Sequence, residues 1–92
     1  PPRSTLFPYT TLFRSQARID FTLPRQGYVS LNVYDIQGRL VRTLAAGARS
    51  SGKYQAVWDL KDASGAGVAS GVYFYRLSSD GYQETRKLSV IR

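Results

Sequence analysis

Cysteine and histidine are both absent from this chain. Without cysteine there is no disulfide framework and no thiolate metal site, though many exported domains rely on packing alone. Without histidine, neither the Ser-His-Asp nor the Cys-His arrangement of nucleophilic catalysis can be assembled. Acids are scarce as well: six stand against 13 Lys and Arg, for a formal net charge of +7. The bases are scattered, and Arg86-Lys87 is the only adjacent pair. Such a distribution reads as a solvated face rather than a nucleic-acid tract. No apolar run is long enough for a membrane-spanning helix, so no membrane span is expected.

The first fifteen residues, PPRSTLFPYTTLFRS, contain no acid and repeat Thr-Leu-Phe at positions 5–7 and 11–13. They show no helical period, and Pro8 interrupts the one stretch that resembles a strand. With one choice of codons, residues 1–15 read in a single frame as the universal adapter of short-read sequencing. The segment is therefore expected to be an artefact without selected structure, and the natural sequence is expected to start near Gln16. Setting it aside leaves 77 residues, one small domain, with 11 bases against six acids and a net charge of +5.

From Gln16 onward the pattern alternates with period two, broken by turn signals at intervals of about 8–15 residues. Residues 17–23 put Ile19, Phe21 and Leu23 on one face, and Pro24 ends that strand. Residues 28–34 follow with Val29, Leu31 and Val33 inward. Asp35-Ile36-Gln37-Gly38 is a tight turn in which Gly38 supplies a positive φ, and residues 40–44 return as the second arm of a hairpin. The small residues 45–52 read as a loop. Residues 53–60 resume the alternation, with Tyr54, Ala56, Trp58 and Leu60 on one face, before a second loop at 61–70. The last hairpin joins residues 72–77 and 82–91 through Ser79-Asp80-Gly81, in which Asp-Gly is a strong turn signal. The expected fold is all-β: a small immunoglobulin-like antiparallel β-sandwich of six to seven strands. Trp58 is expected to anchor its core, burying about 200 Å². Tyr73 is placed as the corner tyrosine that bonds back to the backbone, with Tyr75 where an antibody domain carries cysteine.

No catalytic, cofactor-binding or metal site follows from these residues. Asp59 and Asp62 form the only close acidic pair, and paired-carboxylate chemistry needs two carboxyls facing across a cleft, which a 77-residue sandwich seldom provides. Asp59, Asp62 and Ser64 before Gly65 suggest a calcium loop. The spacing is not that of an EF-hand, however, and short Asp and Ser side chains in loops more often bond their own backbone. Tyrosines with positive charge are compatible with single-strand binding, but here they fall on different strands and faces, so no nucleic-acid partner is expected.

The order of motifs nevertheless matches a known pattern. Val33-Tyr34-Asp35-Ile36-Gln37-Gly38-Arg39-Leu40-Val41 comes first, followed by Gly52, Trp58-Asp59, Asp62, Gly65 and Val68. Then come Ala69-Ser70-Gly71-Val72-Tyr73-Phe74-Tyr75-Arg76-Leu77 and, last, Thr85-Arg86-Lys87. This resembles the type A C-terminal sorting domain of the type IX secretion system, a family that overlaps the immunoglobulin-like domain of flagellar hook-capping proteins. The resemblance covers Gln16 to Arg92. Gly71 is expected to avoid a Cβ clash at the start of the Tyr73 strand. The pattern has two departures. Leu60 stands where the family usually has glycine, and the usual leading Asn-Pro-Phe-Asn-Pro-like segment is replaced by residues 1–15.

The resemblance implies a non-catalytic tail without cofactors, read as a folded label by secretion machinery proteins while attached to an upstream cargo domain. The cargo would pass the periplasm and outer membrane to the cell surface or medium. Recognition is expected near the last hairpin, residues 72–92, whose sheet edge is suited to strand addition, and the terminal position of Arg92 fits such a tail. The alternative is a structural adhesion or assembly module of the hook-capping type, which further domains after Arg92 would favour.

Overall fold

The computed structural model describes residues 16–91 together with the backbone of Thr5–Leu6 and Thr11–Leu12. Among the described residues there are eight strands: β1 (Thr5–Leu6), β2 (Thr11–Leu12), β3 (Ala17–Leu23), β4 (Gly27–Tyr34), β5 (Leu40–Arg49), β6 (Gly52–Trp58), β7 (Gly71–Ser79) and β8 (Tyr82–Val90). The six longer ones make two antiparallel layers, and no helix occurs among the described residues. One layer runs β5-β4-β7-β8. In the other, β6 pairs with β3 along its whole length, from Ala17↔Trp58 to Leu23↔Gly52. The fold is the expected small immunoglobulin-like sandwich.

Period-two patterning explains why the layers close. Strand β3 buries Ala17, Ile19, Phe21 and Leu23, while β4 buries Val29, Leu31 and Val33. Strand β6 adds Ala56 and Trp58, and the last hairpin adds Tyr73, Tyr75, Leu77, Leu88 and Val90. Alternation places each set on one side of its strand, and neither layer can keep that side in water. The aromatic members pack in pairs: Phe21 stacks on Tyr54, and Trp58 meets Tyr73 edge-on, with centroids 5.4 Å apart in both cases. The β7–β8 connection is the two-residue Asp80-Gly81, with φ of 50° and 77°. Two successive positive φ values are what a type I′ hairpin turn requires.

The structure changes the reading of residues 45–52. Strand β5 does not stop at Leu44 but continues to Arg49, so only Ser50 and Ser51 lie between it and β6. Ala and Gly have weak strand preference, yet Ala45, Ala46, Gly47 and Ala48 keep register with Leu31, Ser30, Val29 and Tyr28 of β4. Cross-strand hydrogen bonding overrides local propensity there. The irregularities in the ladder, at Leu31/Asn32 and Val33/Tyr34, come before that run, which then pairs without a break.

Two short pieces of the leading segment pair with β3. Thr5↔Thr22 and Leu6↔Phe21 pair β1 with β3, and Thr11↔Arg18 and Leu12↔Ala17 pair β2 with it. Because β6 occupies one side of β3, both lie along the other. Backbone pairing to an open strand edge requires no selected side chains, so it fits either origin of residues 1–15. Pro8, where the sequence suggested an interruption, lies outside the described residues.

Candidate functional site

Most of the residues singled out by motif gather at one end of the sandwich, while Gly52 opens β6 opposite Leu23 at the other. The tightest unit is the β4–β5 turn, in which Asp35 accepts from the backbone N–H groups of Gln37 (2.9 Å) and Arg39 (3.0 Å) through Oδ1. Its Oδ2 accepts from Arg39 Nε at 3.1 Å, and the Gly38 N–H donates to the Asp35 carbonyl at 2.9 Å. Gly38 has a φ of 83°, which glycine adopts without penalty. The Asp-x-x-Gly-Arg spacing is therefore a self-closing loop, with the carboxylate as its hub.

The β6–β7 loop lies beside it. The Ala63 N–H donates to the Val41 carbonyl at 3.1 Å, tying the loop to the start of β5. Asp62 Oδ1 accepts from Ser64 N (2.9 Å), Ser64 Oγ (2.7 Å) and Ala66 N (3.1 Å), the side-chain-to-backbone pattern of an Asx-turn. Gly65 follows, its N–H donating to the Asp62 carbonyl. Asp59 is held by Arg42 Nη1 at 2.8 Å and by the Lys61 N–H at 3.1 Å. The Lys61 carbonyl in turn accepts from Arg42 Nη1 (3.1 Å) and Trp58 Nε1 (2.9 Å). Arg42 was not among the motif residues, yet it joins β5 of one layer to the loop leaving the other. A cation whose partners lie 17 and 19 residues downstream leaves no local pattern to read.

Tyr73 donates from its hydroxyl to the Ala69 carbonyl at 2.7 Å, closing a corner four residues upstream, while Tyr75 is buried at 2% exposure. Gly71 opens β7 opposite Val90. The expected steric reason for this glycine is corrected: a Cβ built there meets nothing within 4 Å, and a φ of 155° accounts for it instead. Lys87 lies mid-strand in β8, opposite Phe74, which is itself opposite Tyr34. Trp58 and Tyr75 are core, whereas Tyr34 and Lys87 sit on the solvent side of the four-stranded layer.

Hydrogen bonding sets the electrostatics of both turns. The Arg39 N–H, aided by the Gln37 N–H and the Arg39 side chain, holds the Asp35 carboxyl below the usual carboxylate range. The Ser64 hydroxyl, with the amides of Ala66, Ser64 and Gly65, does the same for Asp62. A carboxyl that binds its proton less tightly when folded stabilises the fold above its unfolded pKa, and that contribution vanishes as pH falls through the lower folded value. Thermal midpoints should therefore be level near neutrality and fall below about pH 4. The Asp35→Asn/Asp62→Asn variant should melt earlier at neutral pH and lose less on acidification. Circular-dichroism melts across that range check this, and an unchanged acid slope would rule out these turns as its source.

Among the described residues, no group of His, Cys, Asp or Glu is arranged to hold a metal ion. No helix among them is long and apolar enough to cross a membrane. The surface concavities are shallow, and one of about 320 Å³ is lined by Tyr34, Asp35, Ile36, Gly38, Phe74, Arg76 and Thr85.

The fold recurs in solved structures. The chain is similar to dimeric latent PorU from Porphyromonas gingivalis, with a TM-score of 0.70 and 24% identity, over 96% of this chain but only 9% of that one. It is similar to FlgD from P. aeruginosa (TM-score 0.67, 26% identity, 95% of this chain and 70% of that). FlgD from Xanthomonas campestris, described for its insights into the hook capping essential for flagellar assembly, follows at 0.65 and 24%, covering 95% and 66%. No curated protein matches the chain. Residues 10–82 match the FlgD Ig-like domain family, a span of most of the sequence, and the chain therefore belongs to that family.

Proposed function

We propose that this domain is a non-catalytic sorting module of the type IX secretion system, directing a larger cargo protein through the outer membrane to the cell surface or medium. The observation that carries the reading is the ordered motif set, from Tyr34-Asp35 through Trp58-Asp59 and Gly71–Leu77 to Thr85-Arg86-Lys87. Occurrence of the same fold as 9% of the much longer PorU chain supports a module appended to a large protein. The partners are the secretion machinery and the upstream cargo. The self-satisfied carboxylates of Asp35, Asp59 and Asp62 support a scaffold role rather than a reaction centre.

A second reading, a structural assembly module of the hook-capping type, is favoured by family membership and by the 66–70% of each FlgD chain that the domain spans. The two differ in a transport assay. A periplasmic reporter fused ahead of Gln16–Arg92, in a host carrying the secretion system, should reach the medium or cell surface. Retention of the folded fusion in the periplasm would overturn the sorting reading and leave the assembly reading in place.

A further inference from the structure

The outward face of the β5-β4-β7-β8 layer carries a row that the core does not require. In register across the four strands lie Leu40, Tyr34, Phe74 and Lys87, spanning about 14 Å at ordinary strand spacing. The next row brings Arg76, whose guanidinium lies over the Tyr34 ring at 5.0 Å and whose Nε donates to Thr85 Oγ1 at 3.3 Å. Ile36, in the adjoining turn, is 72% exposed and Leu40 is 59% exposed. It is a contiguous apolar patch rather than a single exposed side chain that marks an interaction surface, and here Ile36 and Leu40 adjoin the outward rings of Tyr34 and Phe74. The outward positions of β4, β7 and β8 bear Arg76 and Lys87 and no carboxylate, and Asp35 at the margin is spent on Arg39 and its own turn.

We propose that this row is a docking face for an extended acidic segment of a partner protein that carries aliphatic side chains. Carboxylates of the segment pair with Arg76 and Lys87, while its apolar side chains cover Ile36, Leu40 and Phe74. Arg76 is already fixed by Tyr34 and Thr85, so little ordering is needed on binding. A second copy of the chain is a poor occupant, because it would bring Arg76 and Lys87 against their own kind. Nucleic acid is also poorly served: the Arg76 guanidinium already lies over the Tyr34 ring, Ile36 and Leu40 offer no stacking plane, and two cations do not make a basic groove. The proposal rests on reading the domain as a recognition module, without depending on which machinery reads it.

The test titrates the isotope-labelled 92-residue chain with the capped heptapeptide Asp-Leu-Glu-Ile-Glu-Leu-Asp. Controls are the same peptide with lysine at each acidic position and a thymidine oligonucleotide. Amide shifts should concentrate at Ile36, Leu40, Phe74, Arg76 and Lys87, and Arg76→Glu/Lys87→Glu should weaken binding by about tenfold or more while the chain still melts cooperatively. Absence of shifts, their confinement to the β8 edge, equal binding of the lysine peptide, or tighter binding of the oligonucleotide would each overturn the proposal. The reporter fusion separates the two readings. If the parent fusion stays in the periplasm, the sorting function falls, whereas the titration alone judges the face. If the parent fusion is exported while the titration shows no binding, the face falls and the sorting function stands.

Discussion

Trp58→Ala is expected to bring the purified chain to the edge of unfolding in buffer. The side chain is 0% exposed, meets Tyr73 edge-on at 5.4 Å and donates from Nε1 to the Lys61 carbonyl at 2.9 Å. Truncating a buried tryptophan to alanine costs about 3–5 kcal/mol. A domain of this size has roughly 5 kcal/mol in total, so one substitution removes most of it. The loss is also structural, because Trp58 binds the loop as well as the core. The Lys61 carbonyl that it holds is shared with Arg42, the link between the two layers. Trp58→Phe keeps an aromatic ring against Tyr73 but removes the donor, and should cost about 1–3 kcal/mol while remaining cooperative. Urea unfolding followed by far-UV circular dichroism separates these outcomes. A Trp58→Ala chain that still unfolds cooperatively near the parent midpoint would show that the core is held elsewhere.

What the sequence made legible was whatever the backbone period imposes. Residues 17–23 alternate so strictly that the strand and its buried face follow at once, and β3 has those bounds. Asp80-Gly81 specifies its own turn, since few other pairs accept two positive φ values. Tyr73 is legible because a hydroxyl beside a core strand needs an acceptor, and the Ala69 carbonyl provides one. Less legible were features decided by partners far along the chain. The Ala-rich run 45–49 looks like a loop in isolation and becomes strand only because β4 offers a ladder. Arg42 looks like any exposed base until Asp59 and the Lys61 carbonyl arrive from the other layer. The outward row was hidden for a related reason. Alternation assigns Phe74 and Arg76 to the solvent side, but only strand order places Tyr34 and Lys87 beside Phe74, and brings Ile36 into one concavity with Tyr34 and Phe74.

Leu60 is where local rule and tertiary demand conflict, and the conflict makes a prediction of sign. Its φ is 61°, a left-handed conformation that costs a non-glycine residue about 1–2 kcal/mol. Glycine is the residue usual here in the pattern that the sequence resembles, and the conformation supplies the reason. The turn sends the chain back so that the Leu60 carbonyl accepts from the Val68 N–H at 2.9 Å and Lys61 bridges to Gly67. In this chain the strain is offset because the same geometry returns the leucine side chain to the core at 2% exposure. Leu60→Ala should therefore cost about 2–4 kcal/mol, since it empties the core position and keeps the unfavourable φ. Leu60→Gly removes one carbon more, the Cβ, but relieves the backbone, an effect partly offset by the greater freedom of glycine in the unfolded chain. The glycine variant should be the more stable of the two by about 1 kcal/mol, or about 4–8 °C in melting midpoint for a domain of this size. Both should melt below the parent. At an ordinary buried strand position the order would be the reverse, with alanine ahead of glycine. Thermal melts of the two variants side by side therefore ask whether backbone conformation or side-chain loss decides stability at this corner, and alanine melting above glycine would give the answer to packing alone.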